Sequence, residues 1–467
     1  MGTINISYYT RKQSILPELS FKEIRDLHCD DPTWKLDLLW KIMRPIKSSV
    51  PGWSGMMQMM QQGEHPGESS VFFFPMIDMN PSDNSCIYST LKFVCNEERR
   101  HNTKAILTFD QPLYWKALMI VLNEPEGSDL RSTILRLGGF HLQMSFLGSI
   151  GHLMAGSGLR ELLETIYASN TVNHMLTGKA VARALRGHCL VDSALNYMVI
   201  SKVFTTNIET KEVNIQVSED NTVSNMVQQQ ANDNASTLMN DEQETNQMDE
   251  DLVHESQEPT VCRTDEELLL TAKNLHDRLM DKAISPQEVC KSDVLDSINK
   301  ELERKKLSLS NLRTGTLWMQ YMHMVDLLRL FIKAERTGNW NLHLSTIKEM
   351  LPFFAAAGHN LYLKSAYIYL QMMIQLEVDH PEVHAAFQNG HHVIRRSNRF
   401  WAGLSSDLVI EQVLMRSLKT TGGLTRGRGM TDAERARWIL SMPACADMKN
   451  AMQEVCGTDY HTSSQHK

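Results

Sequence analysis

The sequence contains no Cys-x-x-Cys pair. Its eight cysteines are scattered at positions 29, 86, 95, 189, 262, 290, 445 and 456. Structural zinc sites usually take close ligands from such pairs, so no zinc site is expected. The thiols read as the reduced cysteines of an intracellular protein, nuclear or cytoplasmic. Long apolar runs are also missing. The most apolar stretch, residues 135–154, carries Arg136, two histidines and four glycines, which argues against a transmembrane helix and a membrane partner. The opening residues, MGTINISYYTRKQ, hold no apolar h-region, which argues against secretion. Ile6 occupies the position where a myristoylation signal needs Ser or Thr. No repeat of fixed period runs along the chain.

What is present is an ordinary globular balance, 42% hydrophobic and 22% charged, over 467 residues, enough for two or three domains. The net charge of −8 hides an asymmetry. Residues 207–260 hold thirteen acids against one base, Lys211, a net of −12, so the rest of the chain is about +4. Residues 395–437 hold nine Arg or Lys against four acids, a net of +5. An acidic tether and a basic C-terminal segment sit in one protein.

The pattern divides the chain into a helical start (1–69), an α/β part (70–206), a disordered acidic insertion (207–262) and a helical domain (263–390). A basic helix that completes the core (391–440) and a tail (441–467) follow. The insertion is polar and poor in aromatics, so it buries too little apolar surface to offset its ordering entropy. Within the start, GWSGMMQMMQQGEHPGESS reads as a loop. SVFFFPMID, KAILTF and STILRLGGF read as strands, and CIYSTLKFV as strand or helix. Helix runs from residue 141 to 167 with a break at 155–158. Beyond the insertion the chain reads as nearly all helix, with interruptions near Pro352 and Gly358.

Four stretches could carry chemistry. In KAILTFDQPLYWKA a lone carboxylate, Asp110, ends an apolar strand. It is either the cap of a helix that begins near Pro112, or a rigidly held ligand for Mg²⁺ or Mn²⁺, and the two roles are compatible. In GGFHLQMSFLGSIGH the pair Gly138-Gly139 permits a tight turn or a close backbone approach. His141 and His152 lie about 16 Å apart along a helix, too far to share a metal, and His141 beside the glycines is the functional candidate. In FIKAERTGNWNLHL, Glu335 and Arg336 end an apolar helix, Gly338 suits its C-cap, and Trp340 and His343 follow. A structural role at the helix end is favoured for Glu335 over a catalytic one. In the stretch 395–430, Ser405-Ser406-Asp407 offers a helix N-cap, and Asp407 and Glu411 share a helical face. TRGRGM then places two arginines between glycines, which suits phosphate contact as well as a solvated basic face.

TFDQPLYWKA, LGGFHLQMSFLGSIG, AERTGNWNLHL and WAGLSSDLVIEQVLMRSLKTTGGLTRGRG together resemble a family of animal proteins that look transposon-derived. More remotely they are similar to fungal proteins and to cut-and-paste transposases with a ribonuclease-H-like core. The resemblance spans roughly residues 70–467 apart from the acidic stretch. It implies an α/β fold, a ribonuclease-H-like core of few strands followed by a large, mostly α-helical C-terminal region. It implies Asp110 as the first catalytic acid and Glu411 as the third, with Asp407 as second candidate and Asp110 and Glu411 as metal ligands. Where a second acid or a Cys/Asp-x-x-His-like element belongs, Gly138-Gly139-Phe140-His141 retains the histidine and has no acid at the strand tip. Asp129 and Asp78 are the nearest substitutes. No zinc-finger spacing supplies a DNA-targeting module.

Two functions of different class follow. One is a divalent-metal polynucleotidyl transferase or nuclease using Asp110, His141, Asp407 and Glu411. The other, favoured because the second acid is missing, is a catalytically decayed descendant. It would bind DNA through Arg395, Arg396, Arg399, Arg416, Lys419, Arg426 and Arg428, with protein partners on the acidic segment. A helical interaction scaffold is the third possibility. The first requires Asp110, His141 and Glu411 to surround one pocket.

Overall fold

The computed structural model describes residues 4–10, residues 22–204 except five positions between 72 and 78, residues 265–411, and three isolated positions beyond. The acidic insertion, the tail but for those isolated positions, and most of the expected strand at 70–78 lie outside the described residues.

The α/β part is built on one crossover. Strand β1 (Ile106–Phe109) runs parallel to β2 (Ile134–Leu137), with Phe109 opposite Leu137. Helix α1 (Gln111–Leu122) connects them, as a parallel pair requires a long crossover. Every residue of β2 is buried. These are the only parallel strands among the described residues. The molecule is mostly helical with few strands, as the sequence suggests in coarse form.

Residues 86–94 are helix, within Asn84–His101. Asp83 caps its N-terminus by accepting from Ser85 N at 2.7 Å, and Ile87, Leu91 and Cys95 bury one face at intervals of four. The Met-rich stretch expected as a loop contains a helix, Trp53–Met60, because Met56, Met57 and Met60 fall on its buried side. Helix α2 (Gly139–Leu153) follows β2 directly and ends ahead of Gly156 and Gly158, both at positive φ.

Beyond the insertion stand α3 (Arg313–Thr337), α4 (Trp340–Ala356) and α5 (Asn360–Asp379). Gly338, at φ +77°, caps α3 by donating its N–H to Ala334 O at 2.9 Å. Helix α4 runs through Pro352, where a break was expected. Proline removes one helical hydrogen bond there, but Phe353 and Phe354 pack edge-on against Phe146 of α2 and hold the turn. A two-residue antiparallel ladder follows, β3 (Ile394–Arg395) with β4 (Gly403–Leu404), and then the short helix α6 (Ser406–Val409). Residues 394–395 and 403–404, expected in a basic helix, are extended, with a short 3-10 turn at Phe400–Ala402 between them, and Ser69 pairs with Arg395 through both backbone groups of the arginine.

Two apolar cores result. The first gathers β2, α1, α2 and α3 to α5, and the second gathers the helices Trp34–Ile46, Asp265–Met280 and Asp293–Leu309. Helix α3 crosses the seam between them. Its buried Arg329 pairs with Asp192 at 2.5 Å, and its buried Lys333 pairs with Asp31 at 2.6 Å and Asp37 at 2.5 Å. Isolated cations at such depth would be expensive, so each is matched by carboxylate.

Candidate functional site

The carboxyl ends of parallel strands leave backbone groups and loop residues facing a common crevice. Here Asp110 follows β1 and Gly138 follows β2. Gly138 N donates to Phe109 O at 2.7 Å, so the two tips lie side by side. Asp110 caps α1, its Oδ1 accepting from Leu113 N at 3.1 Å.

Gly138 is the N-cap residue of α2 and has no side chain to serve the exposed amides there. Asp407 serves them from the far end of the chain. Its Oδ1 accepts from Phe140 N at 3.1 Å, and its Oδ2 accepts from His141 N at 3.1 Å. The His141 Nδ1 lies 3.0 Å from the same Oδ2. A Cβ on residue 138 would collide with that carboxylate, so glycine at the tip is what admits it. The Ser-Ser-Asp stretch therefore caps a distant helix instead of its own. Ser406 Oγ donates to Thr108 Oγ1 at 3.0 Å, and Ser405 Oγ donates to Glu335 Oε2 at 2.6 Å, so three consecutive residues fasten α6 to β1, α2 and α3.

His141 is half-buried. Its hydrogen bond to Asp407 raises its imidazole pKa against the opposing effect of burial, and the charges of Asp407, Asp110 and Glu411 add to the rise. Tyr362 of α5 has its hydroxyl pKa raised by burial and then by Asp110 and Asp407. Asp110, Asp407 and Glu411, expected with His141, thus all bear on that histidine from across about 300 residues of sequence. They do not form a tight ligand set. Among the described residues, the three-ligand group whose donor atoms all lie within 4.8 Å of one another is Glu335, His343 and His392.

The sequence marked Glu335 as a helix end and noticed His343, but gave no sign of His392. Glu335 and His343 are separated by the Gly338 break, so no single helical face unites them, and His392 arrives from beyond α5. Burial opposes charge on Glu335, yet His343, His392 and the Ser405 hydroxyl outweigh it and hold the carboxyl at about 2. Burial pushes the His392 imidazole well down.

The expected nucleic-acid residues separate. Arg395 is not at the surface. It is 1% exposed, with Nη1 donating to Phe400 O at 2.8 Å and Nη2 to Thr337 O at 2.7 Å, so its guanidinium serves backbone carbonyls and not phosphate. Arg396 and Arg399 are exposed. Arg416, Lys419, Arg426 and Arg428 lie outside the described residues. No helix among the described residues is long and apolar enough to cross a membrane.

No curated protein and no solved structure matches the chain. One family model does, a domain of unknown function, over residues 52–261 and 250–467. These spans take in most of the chain, including both carboxylate clusters, and the protein belongs to that family, DUF8702.

Proposed function

We propose that this chain is a transposase-like protein, with a ribonuclease-H-like ancestry, that binds nucleic acid without cutting it. The observation that carries the reading is the state of Asp407. It fills the space at the strand tip where the resemblance places an acid, and both its oxygens are engaged by α2 amides and the His141 ring. A divalent ion needs carboxylate oxygens free to coordinate in near-octahedral geometry. Phosphate contact needs only exposed cations, which Arg396 and Arg399 supply.

The test is duplex-DNA binding by the full chain across salt. Affinity should fall by about tenfold or more between low and moderate salt, and Arg396→Ala with Arg399→Ala should flatten that slope. Mg²⁺ or Mn²⁺ should yield no cleavage. Absence of binding at low salt would leave a helical interaction scaffold, with the acidic segment as its partner-binding arm.

One observation favours a second reading, an active divalent-metal phosphoryl transferase: Asp110, Asp407 and Glu411 all press on His141. Release of Asp407 would free a third carboxylate beside Asp110 and Glu411, and the metal would then stabilise charge on the transferring phosphoryl group. DNA cleavage with Mn²⁺ that disappears in Asp110→Ala would establish this reading over the first.

A further inference from the structure

Glu335, His343 and His392 have no part in the proposed function. They meet in the first core from three directions: the last turns of α3, the start of α4, and the segment before β3. They are 6%, 1% and 2% exposed. Their donor atoms lie within 4.8 Å of one another.

The atoms left without a hydrogen-bond partner are one from each residue: Glu335 Oε1, His343 Nδ1 and His392 Nε2. The opposite atom of each side chain is held. Glu335 Oε2 accepts from Ser405 Oγ at 2.6 Å. His343 Nε2 lies 3.2 Å from the Tyr369 hydroxyl. His392 Nδ1 lies 3.3 Å from Phe387 O, a carbonyl that can only accept. That carbonyl keeps the proton on Nδ1, so Nε2 presents a bare lone pair. Glu335 Oε1 and His343 Nδ1 approach to 2.7 Å without hydrogen-bond alignment. A buried carboxylate oxygen and a bare imidazole nitrogen converging with no aligned hydrogen bond are costly to leave so, and a cation would join them.

The surroundings fit that role. Metal-bound imidazoles are oriented by a second partner on the other nitrogen, as Tyr369 and Phe387 O provide here. Trp340 stacks on His343, ring centroids 5.3 Å apart at 14°, and lies 4.9 Å from His392, which keeps water out. Arg136 donates to the His392 carbonyl at 2.5 Å and sets its guanidinium over Trp340. Its positive charge disfavours a hard ion held by charge alone, whereas two imidazoles suit a borderline transition metal. Glu335 also lines a cavity of about 380 Å³, with Ser405, Arg336 and Glu411.

We propose that Glu335, His343 and His392 form a buried site for one transition-metal ion of the zinc class, distinct from the Asp110 cluster. The site departs from the expectation of no zinc, because its ligands come from histidines that the topology gathers and not from paired cysteines.

The test uses full-length protein stripped with a chelator and dialysed against Zn²⁺ or Co²⁺. The folded wild type should retain about one ion per chain after gel filtration. His392→Gln should retain it at least about tenfold more weakly while keeping its far-ultraviolet dichroism. Co²⁺ loading of the wild type should give visible d–d bands and paramagnetically shifted imidazole N–H protons. Several outcomes would overturn the proposal. They are no retention by folded wild type, equal retention by folded His392→Gln, a thiolate-to-cobalt band that places the ion on cysteine, or no shifted imidazole protons. The last two need no variant, so they decide even if His392→Gln fails to fold. Neither DNA binding nor its loss bears on the result.

Discussion

The strand-tip cluster and the buried Glu335 cluster set carboxylate beside imidazole in opposite surroundings. At the strand tip, Asp407 receives two backbone N–H groups and sits against one ring nitrogen, and His141 is half-buried with its pKa raised. In the core, Glu335 and His392 each keep an unpaired atom, and burial lowers the His392 pKa. The same residue types therefore close into a finished network in one place and leave buried atoms without aligned partners in the other. The supply of donors decides which occurs, and burial sets how much is at stake.

The contrast breaks most easily at its buried end. Glu335→Ala removes the anion from a buried group of imidazoles and should cost about 3–5 kcal/mol of stability in urea denaturation. A cost below that of the strand-tip changes would show that depth does not separate the two clusters. Next comes Gly138→Ala. Its Cβ meets the Asp407 carboxylate, and overpacking of this kind costs about 1–3 kcal/mol, read as a lowered thermal midpoint. An unchanged midpoint would mean that Asp407 leaves the tip without loss.

Asp407→Asn sharpens the comparison through pH. A histidine whose folded pKa is raised contributes stability that is complete below its ordinary value near 6.5 and is lost as pH rises through the folded value. Wild-type stability should therefore decline on the alkaline side of that window. The variant should flatten the decline, lower the His141 pKa seen by NMR titration, and cost about 1–3 kcal/mol at pH 6. An unmoved His141 titration would refute the assigned cause. The smallest change is Asp110→Ala. Loss of the α1 cap should cost about 1 kcal/mol, with amide exchange quickening first at Leu113. A much larger loss would mean that Asp110 carries more than a cap.

How much of this was legible in the sequence depended on distance along the chain. Asp110 is legible both as strand end and as helix cap, because both signals sit within four residues. Gly338 was read as a C-cap for the same reason. The Gly138-Gly139 pair announced a close approach, but not what approaches, since the partner lies 266 residues from His141. Asp407 suggests a cap for its own helix and caps α2 instead, because local rules see only the nearest N-terminus. Arg395 looked like surface charge by composition, and only its burial beside Thr337 and Phe400 carbonyls removed it from that role. His392 gave no signal, since neither helical nor strand spacing links it to Glu335. Pro352 misled because packing against Phe146 outweighs one lost backbone bond.

The trans-capping of α2 also sets an order of events during synthesis. Domains begin to fold as the chain leaves the ribosome, N-terminal part first. Strands β1 and β2 and helix α2 are complete by residue 153, yet the carboxylate that satisfies the first amides of α2 is carried at residue 407. The strand tips of a nascent chain therefore stay open through the making of everything between. A polypeptide that stops short of Asp407 would present those bare amides to whatever anion or chaperone meets it first.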